Sequence, residues 1–243
     1  MVCDRRCQGV TRRLLLISNS TQPGQGYLEH CETELRQFLA GVGTVLFVPY
    51  ALHDIDAYTA TVRARFAELD HELTSVHEVA DPVAAAEAAE AIFIGGGNTF
   101  RLLARLYETG LVSAIRGRVA AGARYIGSSA GTNIACPTIK TTNDMPIVQP
   151  PTFAALELVS FNINAHYTDR DPDVAHGGET REERIAQFHE ENPQPVVALR
   201  ESAMLRVDSE SIELRGGPAG ARLFRRGSQP VECRPGDRID TLL

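Results

Sequence analysis

The chain has 243 residues and carries 31 acidic against 24 basic side chains, a net charge of −7 with no long basic run. This balance makes nucleic acid and anionic membranes poor partners. No stretch approaches the roughly 20 apolar residues that span a bilayer. The start, MVCDRRCQGVTRRLLLISNS, has too short an apolar run and no small-residue cleavage site for a signal peptide, so a cytoplasmic protein is expected. Five cysteines (Cys3, Cys7, Cys31, Cys136, Cys233) are odd in number and scattered, which argues against a disulfide framework. Cys3 and Cys7 lack a second pair, and the seven histidines form no H-E-x-x-H-like group. Neither a metal nor another cofactor is expected.

In chain order, residues 13–19 (RLLLISN) read as a buried parallel strand ending in polar residues. After a Pro/Gly loop, Leu28, Cys31, Leu35, Phe38 and Leu39 recur at helical spacing. TVLFVPY (44–50) is a second strand, Ile55 to Leu69 a second amphipathic helix, and residues 73–79 a third strand. Ala91–Ile94 runs into Gly95-Gly96-Gly97-Asn98, with Asn98 as the N-cap of the helix that follows. Residues 112–121 form another helix, and Arg124–Gly127 a strand. This alternation implies βαβ units, a mainly parallel sheet and helices on both faces in a single α/β domain, with residues 1–10 a loose N-terminal segment. Residues 137–180 are loop-rich, 180–191 helical, and 195–201 a strand. The tail reads as a short antiparallel meander over 203–207, 211–214 and 221–225.

The strand at 124–127 feeds Gly127-Ser128-Ser129-Ala130-Gly131, which fits G-x-S-x-G. In that turn a serine hydroxyl is lifted clear of the backbone at a helix N-terminus. The central residue, Ser129, is the candidate nucleophile and Ser128 the lesser one. Serine needs a base, an orienter for that base and donors for an oxyanion. His166, within NINAHYT and at the expected carboxyl end of a strand, is the candidate base. His176 and His189 read as surface residues. Two carboxylates can orient the base: Asp144, in TTNDMP, gives the order Ser-Asp-His, and Glu201, just after the strand at 195–200, gives Ser-His-Glu. The glycine turn at 95–97 fails the dinucleotide and P-loop patterns. It suits an oxyanion hole instead, with one N–H near Gly97 and one from Ala130. Arg181, after a glycine pair and at a helix start, is suited to gripping a carboxylate, with Asn98 a further candidate substrate contact.

Together these segments resemble the peptidase E family of serine peptidases, the aspartyl dipeptidases, over nearly the whole chain. The most specific stretch is GSSAGTNIACPTIKTTNDMP (127–146), joined by IFIGGGNTFRLL (92–103), INAHYT (163–168) and GGETREERI (177–185). The family commonly has tryptophan before the nucleophile, where this chain has Ser128. The resemblance implies a flavodoxin-like sheet related to class I glutamine amidotransferases, and metal-free hydrolysis of dipeptides with N-terminal aspartate. By position it makes Ser129 the nucleophile, His166 the base, and Arg181 the holder of the aspartyl side chain. The third member matches either Glu201 or Asp144. Strand-end placement favours Glu201, with Asp144 then a charge that shapes the site or binds the substrate amine. Two alternatives differ in kind: a cyanophycinase-like peptidase acting on β-linked aspartyl-arginine, and a non-catalytic amidotransferase-like binding protein. The expected partner is a small Asp-Xaa peptide, with monomer and homodimer both open.

Overall fold

Strict alternation of side chains along the central strands decides the architecture of the computed structural model, which describes residues 12–170 and 178–243. The strands are β1 (Arg13–Ile17), β2 (Thr44–Val48), β3 (Glu72–Ser75), β4 (Ala91–Ile94) and β5 (Arg124–Ser128). They lie in the order β3-β2-β4-β5-β1, all parallel. Leu14, Leu16, Leu46, Val48, Ile92 and Ile94 enter one buried cluster, while Leu15, Ile17, Val45, Phe47 and Phe93 enter another. Neighbouring residues of a strand point to opposite faces, so an unbroken apolar run needs a cover on each.

The helices supply both covers. α1 (Glu32–Phe38), entered through a 3₁₀ turn at Glu29–Cys31, and α2 (Ile55–Glu68) bring Leu35, Phe38, Tyr58, Val62 and Phe66 to one face. α3 (Pro82–Ala88), α4 (Thr99–Glu108), α5 (Leu111–Ala120) and the short α6 (Ala130–Ile134) cover the other. Side-chain caps start three of them: Asp54 accepts from Ala57 N at 3.0 Å, Asp81 from Ala84 N at 2.9 Å and Asn98 from Arg101 N at 3.0 Å. α3 has no counterpart in the sequence reading. Among described residues no helix is long and apolar enough to cross a membrane.

Beyond α6 the chain departs from the expected arrangement in two ways. β6 (Asn162–Tyr167), whose His166 is expected at a strand end of one open sheet, beside the Gly127–Gly131 elbow, belongs instead to a second, four-stranded sheet. In it β6 pairs parallel with β7 (Val196–Arg200), and α7 (Arg181–Glu191) packs Ile185 and Phe188 on its outer face. The tail is not one meander. β8 (Ala203–Asp208) and β9 (Ser211–Gly216) form a hairpin that joins the main sheet, with β8 antiparallel to β1. β10 (Ala221–Phe224) and β11 (Val231–Cys233) instead join the second sheet, with β10 antiparallel to β7. The switch is built at Ser202, whose φ is 67°. Ser202 O accepts the Gly217 N–H at 3.0 Å, and a Cβ on Gly216 would overlap that same carbonyl. Only the bare glycines let the chain fold back there and return to β7. The expectations for residues 1–10 and His176 fall outside the described residues.

Candidate active site

The carboxyl ends of β1, β4, β5, β6 and β7 carry the polar residues that converge on Ser129, the position at which open α/β sheets hold their ligands. β5 ends at Ser128, and the next residue turns with φ 52° and ψ −107° to start α6. A non-glycine residue there is strained, and such strain persists only where the surroundings enforce it. Here they do: Ser129 N–H donates to Ile17 O at 3.0 Å, and Thr132 Oγ1 donates to Ile17 O at 2.7 Å and Gly127 O at 2.9 Å. A Cβ on Gly127 would stand 2.6 Å from Gly131 O, and one on Gly131 would overlap Ile94 O. Both glycines of the pentapeptide are therefore steric requirements of the turn. Ser129 is partly exposed, whereas Ser128 is fully buried and bonds Ser20 Oγ at 2.8 Å.

Ser129 Oγ lies 2.9 Å from His166 Nε2, and His166 Nδ1 lies 3.0 Å from Glu201 Oε1. A carboxylate can only accept, so Nδ1 carries the proton and leaves the Nε2 lone pair facing the serine O–H. His166 has φ 54° and its N–H donates to Ser18 Oγ at 3.0 Å, while Ser18 Oγ–H donates to Leu199 O at 3.0 Å. The end of β1 thus clamps the ends of β6 and β7. Glu201 is held from both sides: Ser202 N–H donates to Asn19 Oδ1 at 2.8 Å, and Arg200 makes a forked pair with Asp169 at 2.6 and 3.0 Å and a further pair with Glu232 at 3.0 Å. These carboxylates raise the guanidinium pKa further, led by Asp169.

Asp144 stands elsewhere. Its Oδ2 accepts from Thr99 N–H at 2.7 Å and from the Thr99 hydroxyl at 2.5 Å, at the start of α4. It holds a helix N-terminus across 45 residues of chain, a favoured place for a negative charge. Asn98, expected as both cap and substrate contact, has its two polar ends engaged within the protein: Oδ1 accepts from Arg101 N–H, and Nδ2 donates to Met145 O at 2.8 Å. Gly97 has φ 137°, and a Cβ there would stand 2.6 Å from Ala51 O. The N–H groups of Gly97 and Ala130 donate to nothing among the described residues. A Cβ on Gly96 would lie 3.2 Å from Ser129 Cβ, so the glycine turn packs directly against Ser129.

Arg181 opens α7, whose N-cap Thr180 forms a capping box with Glu183. It lines a cavity of about 410 Å³ with Thr168, Asp169, Glu179 and Arg184, two residues along the chain from His166. Asp169 is committed to Arg200, and Glu179 lies 3.8 Å from Arg184. Arg181 has no ion-pair partner among the described residues. Burial and then the neighbouring Arg184 lower its pKa.

Two residues at this site were not singled out from sequence. Ser18 was read only as the polar end of β1. His30 lies between Leu28 and Cys31 of the first helical pattern and carries no signal of its own there, yet both its ring nitrogens are buried without a hydrogen-bond partner among the described residues. Burial lowers its pKa, opposed by the negative charge of Glu201.

Residues 14–215 match the family described as Peptidase family S51. The chain is similar to Peptidase E of Streptomyces coelicolor, 53% identical over 95% of this chain and 94% of that one. It is also similar to a probable alpha-aspartyl dipeptidase of Drosophila melanogaster, 48% identical over 92% and 94%. Among solved structures, a putative peptidase E from Listeria monocytogenes aligns with a TM-score of 0.65 at 21% identity, covering 85% of this chain and 99% of that one. A peptidase from an acI-B1 actinobacterium aligns with a TM-score of 0.67 at 16% identity, covering 96% and 98%. At those identities the structural matches bear on the fold alone.

Proposed function

Because this chain belongs to peptidase family S51, we propose that it is a serine dipeptidase that removes N-terminal aspartate from Asp-Xaa, with Ser129, His166 and Glu201 as its triad. The observation that carries this reading is the line from Glu201 through His166 to the strained Ser129, with contacts of 3.0 and 2.9 Å. The names of the two relatives, Peptidase E and probable alpha-aspartyl dipeptidase, support the substrate class.

The chemistry is acyl transfer. His166 Nε2 takes the Ser129 proton as Oγ attacks the aspartyl carbonyl, and the N–H groups of Gly97 and Ala130 receive the oxyanion. The imidazolium, stabilised by Glu201, protonates the leaving amine of the second residue. Water, activated by the same imidazole, then hydrolyses the aspartyl ester and frees the serine. Asp144 acts in this scheme by holding the start of α4, next to the glycine turn, rather than by touching His166.

Arg181 supplies specificity. A partly buried guanidinium without an ion-pair partner among the described residues gains most from a ligand carboxylate, and loses most when that ligand is truncated. The test sets Asp-Leu against Leu-Leu and β-Asp-Arg with purified protein. Hydrolysis of Asp-Leu alone is expected, preference for β-Asp-Arg would favour the cyanophycinase-like alternative, and cleavage of none would sink the enzymatic reading. Arg181→Met should lower kcat/KM for Asp-Leu by about 10²-fold or more, corresponding to the several kcal/mol of a broken buried pair. Residual Ala-Leu or Asn-Leu activity should change far less. An equal loss on all substrates would assign Arg181 a structural role.

A further inference from the structure

A second cavity, of about 390 Å³, shares no residue with the one that Arg181 lines. It lies between the loop that follows β2, the exposed side of α4 and residues 148–149. Three contacts set it against the glycine turn. A Cβ on Gly97 would stand 2.8 Å from Leu52 Cδ2 and 2.6 Å from Ala51 O. Ala51 O accepts the Asn98 N–H at 2.9 Å and a guanidinium N–H of Arg101 at 3.4 Å, so Arg101 and Gly97 rest against the same carbonyl. Asn98 Nδ2 donates to Met145 O at 2.8 Å, which ties the segment carrying Val148 to that turn as well.

The lining combines apolar and charged groups. Leu52 and Val148 keep 39% and 40% of their surface exposed, and the partly buried Ile55 joins them. Of the charged groups, Arg105 and Glu108 pair with each other at 2.9 Å. Arg101 is half-buried, and among the described residues its guanidinium has no ion-pair partner and donates only to Ala51 O. Apolar walls around a few convergent polar groups are the usual form of a small-ligand site.

A dipeptide whose scissile carbonyl sits between Ser129 and Gly97 has two halves to place. The aspartyl half goes to Arg181. The second residue ends in a carboxylate only three bonds beyond the scissile carbon, a reach of about 4 Å. We propose that this second cavity holds the second residue, with Arg101 gripping its terminal carboxylate and Leu52 and Val148 receiving an apolar side chain. This rests on the reading of Ser129 as nucleophile and Gly97 as oxyanion donor. Arginine suits the task because its fork matches both oxygens of a carboxylate. A longer peptide puts a neutral amide in that place and leaves the half-buried guanidinium without a counter-charge. Arg101 thus confines cleavage to dipeptides, and the apolar walls favour leucine over alanine as the second residue.

The experiment compares Asp-Leu with Asp-Leu amide, which differ only in the terminal charge, in the wild type and in Arg101→Gln. Wild-type kcat/KM should be about 30-fold higher for Asp-Leu than for the amide, chiefly through KM, because the contact exists in ground and transition states alike. In Arg101→Gln the two peptides should approach equal kcat/KM. Val148→Ser should lower the preference for Asp-Leu over Asp-Ala about threefold. Equal cleavage of Asp-Leu and its amide by the wild type would overturn the proposal without any variant, so the test does not depend on how Arg101→Gln folds. An undiminished ratio in Arg101→Gln, with both peptides slowed alike, would overturn it by giving Arg101 a structural role. An unaltered leucine preference in Val148→Ser would overturn the placement of the second side chain. Failure of the underlying reading looks different: Ser129→Ala would then keep its activity, whatever Arg101→Gln does.

Discussion

Ser129→Ala should abolish turnover, with kcat lower by roughly 10⁵–10⁶, the loss that removal of a triad nucleophile produces elsewhere. Ser128→Ala, one residue away, should retain activity within about threefold. The two hydroxyls differ in what they face. Ser129 is lifted by its positive φ toward His166 Nε2, whereas Ser128 is fully buried and spends its hydroxyl on Ser20. A serine-reactive phosphonate, followed by intact mass, should add one label to the native protein and to Ser128→Ala but none to Ser129→Ala. Equal loss of activity in the two variants, or labelling of Ser129→Ala, would reject the elbow assignment. Circular dichroism guards against a folding defect, which is not expected of either variant. Ser129 makes no side-chain cap bond to α6, so its truncation removes no bond that holds the helix.

What was legible from the sequence follows from which forces are local. β1, β2, β4 and β5 read clearly because strands covered on both faces must be apolar without interruption, and no other short pattern imitates that well. The elbow was legible because one of its glycines answers to a contact a few residues away, Gly127 to Gly131, although Gly131 itself answers to Ile94 on a different strand. α3 was not, since Pro82–Ala88 (PVAAAEA) has alanine at four of its seven positions and buries only Ala86, leaving no amphipathic stripe. The tail strands could be located but not their partners, because an alternating run says it is half-buried without saying against which sheet. Ser18 is the sharper case. It receives the His166 N–H across 148 residues of chain, and nothing near it distinguishes that duty from a polar strand end. The same limit separated Asp144 from Glu201. Both sit in polar turns, and the difference lies in contacts made 45 and 35 residues away.

Glu201→Gln tests that separation, and the size of the effect follows from exposure. An amide at this position can still reach His166 Nδ1, but it can present an N–H as well as a carbonyl, and it carries no charge to stabilise the imidazolium. In a triad with a buried aspartate the corresponding change costs about 10⁴ in kcat, chiefly by favouring the wrong tautomer. Here the Glu201 side chain is 48% exposed and that of His166 42%. Water screens the pair and can accept from Nδ1 in its place. The expected loss is therefore smaller, about 10²–10³ in kcat, with KM little changed because substrate does not touch Glu201. Asp144→Asn should behave in the opposite way. It loses a charge at the start of α4 and weakens the two bonds to Thr99, a matter of about 1 kcal/mol of stability. Its kcat should fall less than about 10-fold, through the neighbouring glycine turn, and its thermal midpoint should drop. Measuring kcat and unfolding temperature for both variants makes the contrast decisive, since a carboxylate that orients the base lowers kcat without moving the midpoint. A large kcat loss in Asp144→Asn beside near-native turnover in Glu201→Gln would reverse the assignment and make Asp144 the carboxylate that serves His166.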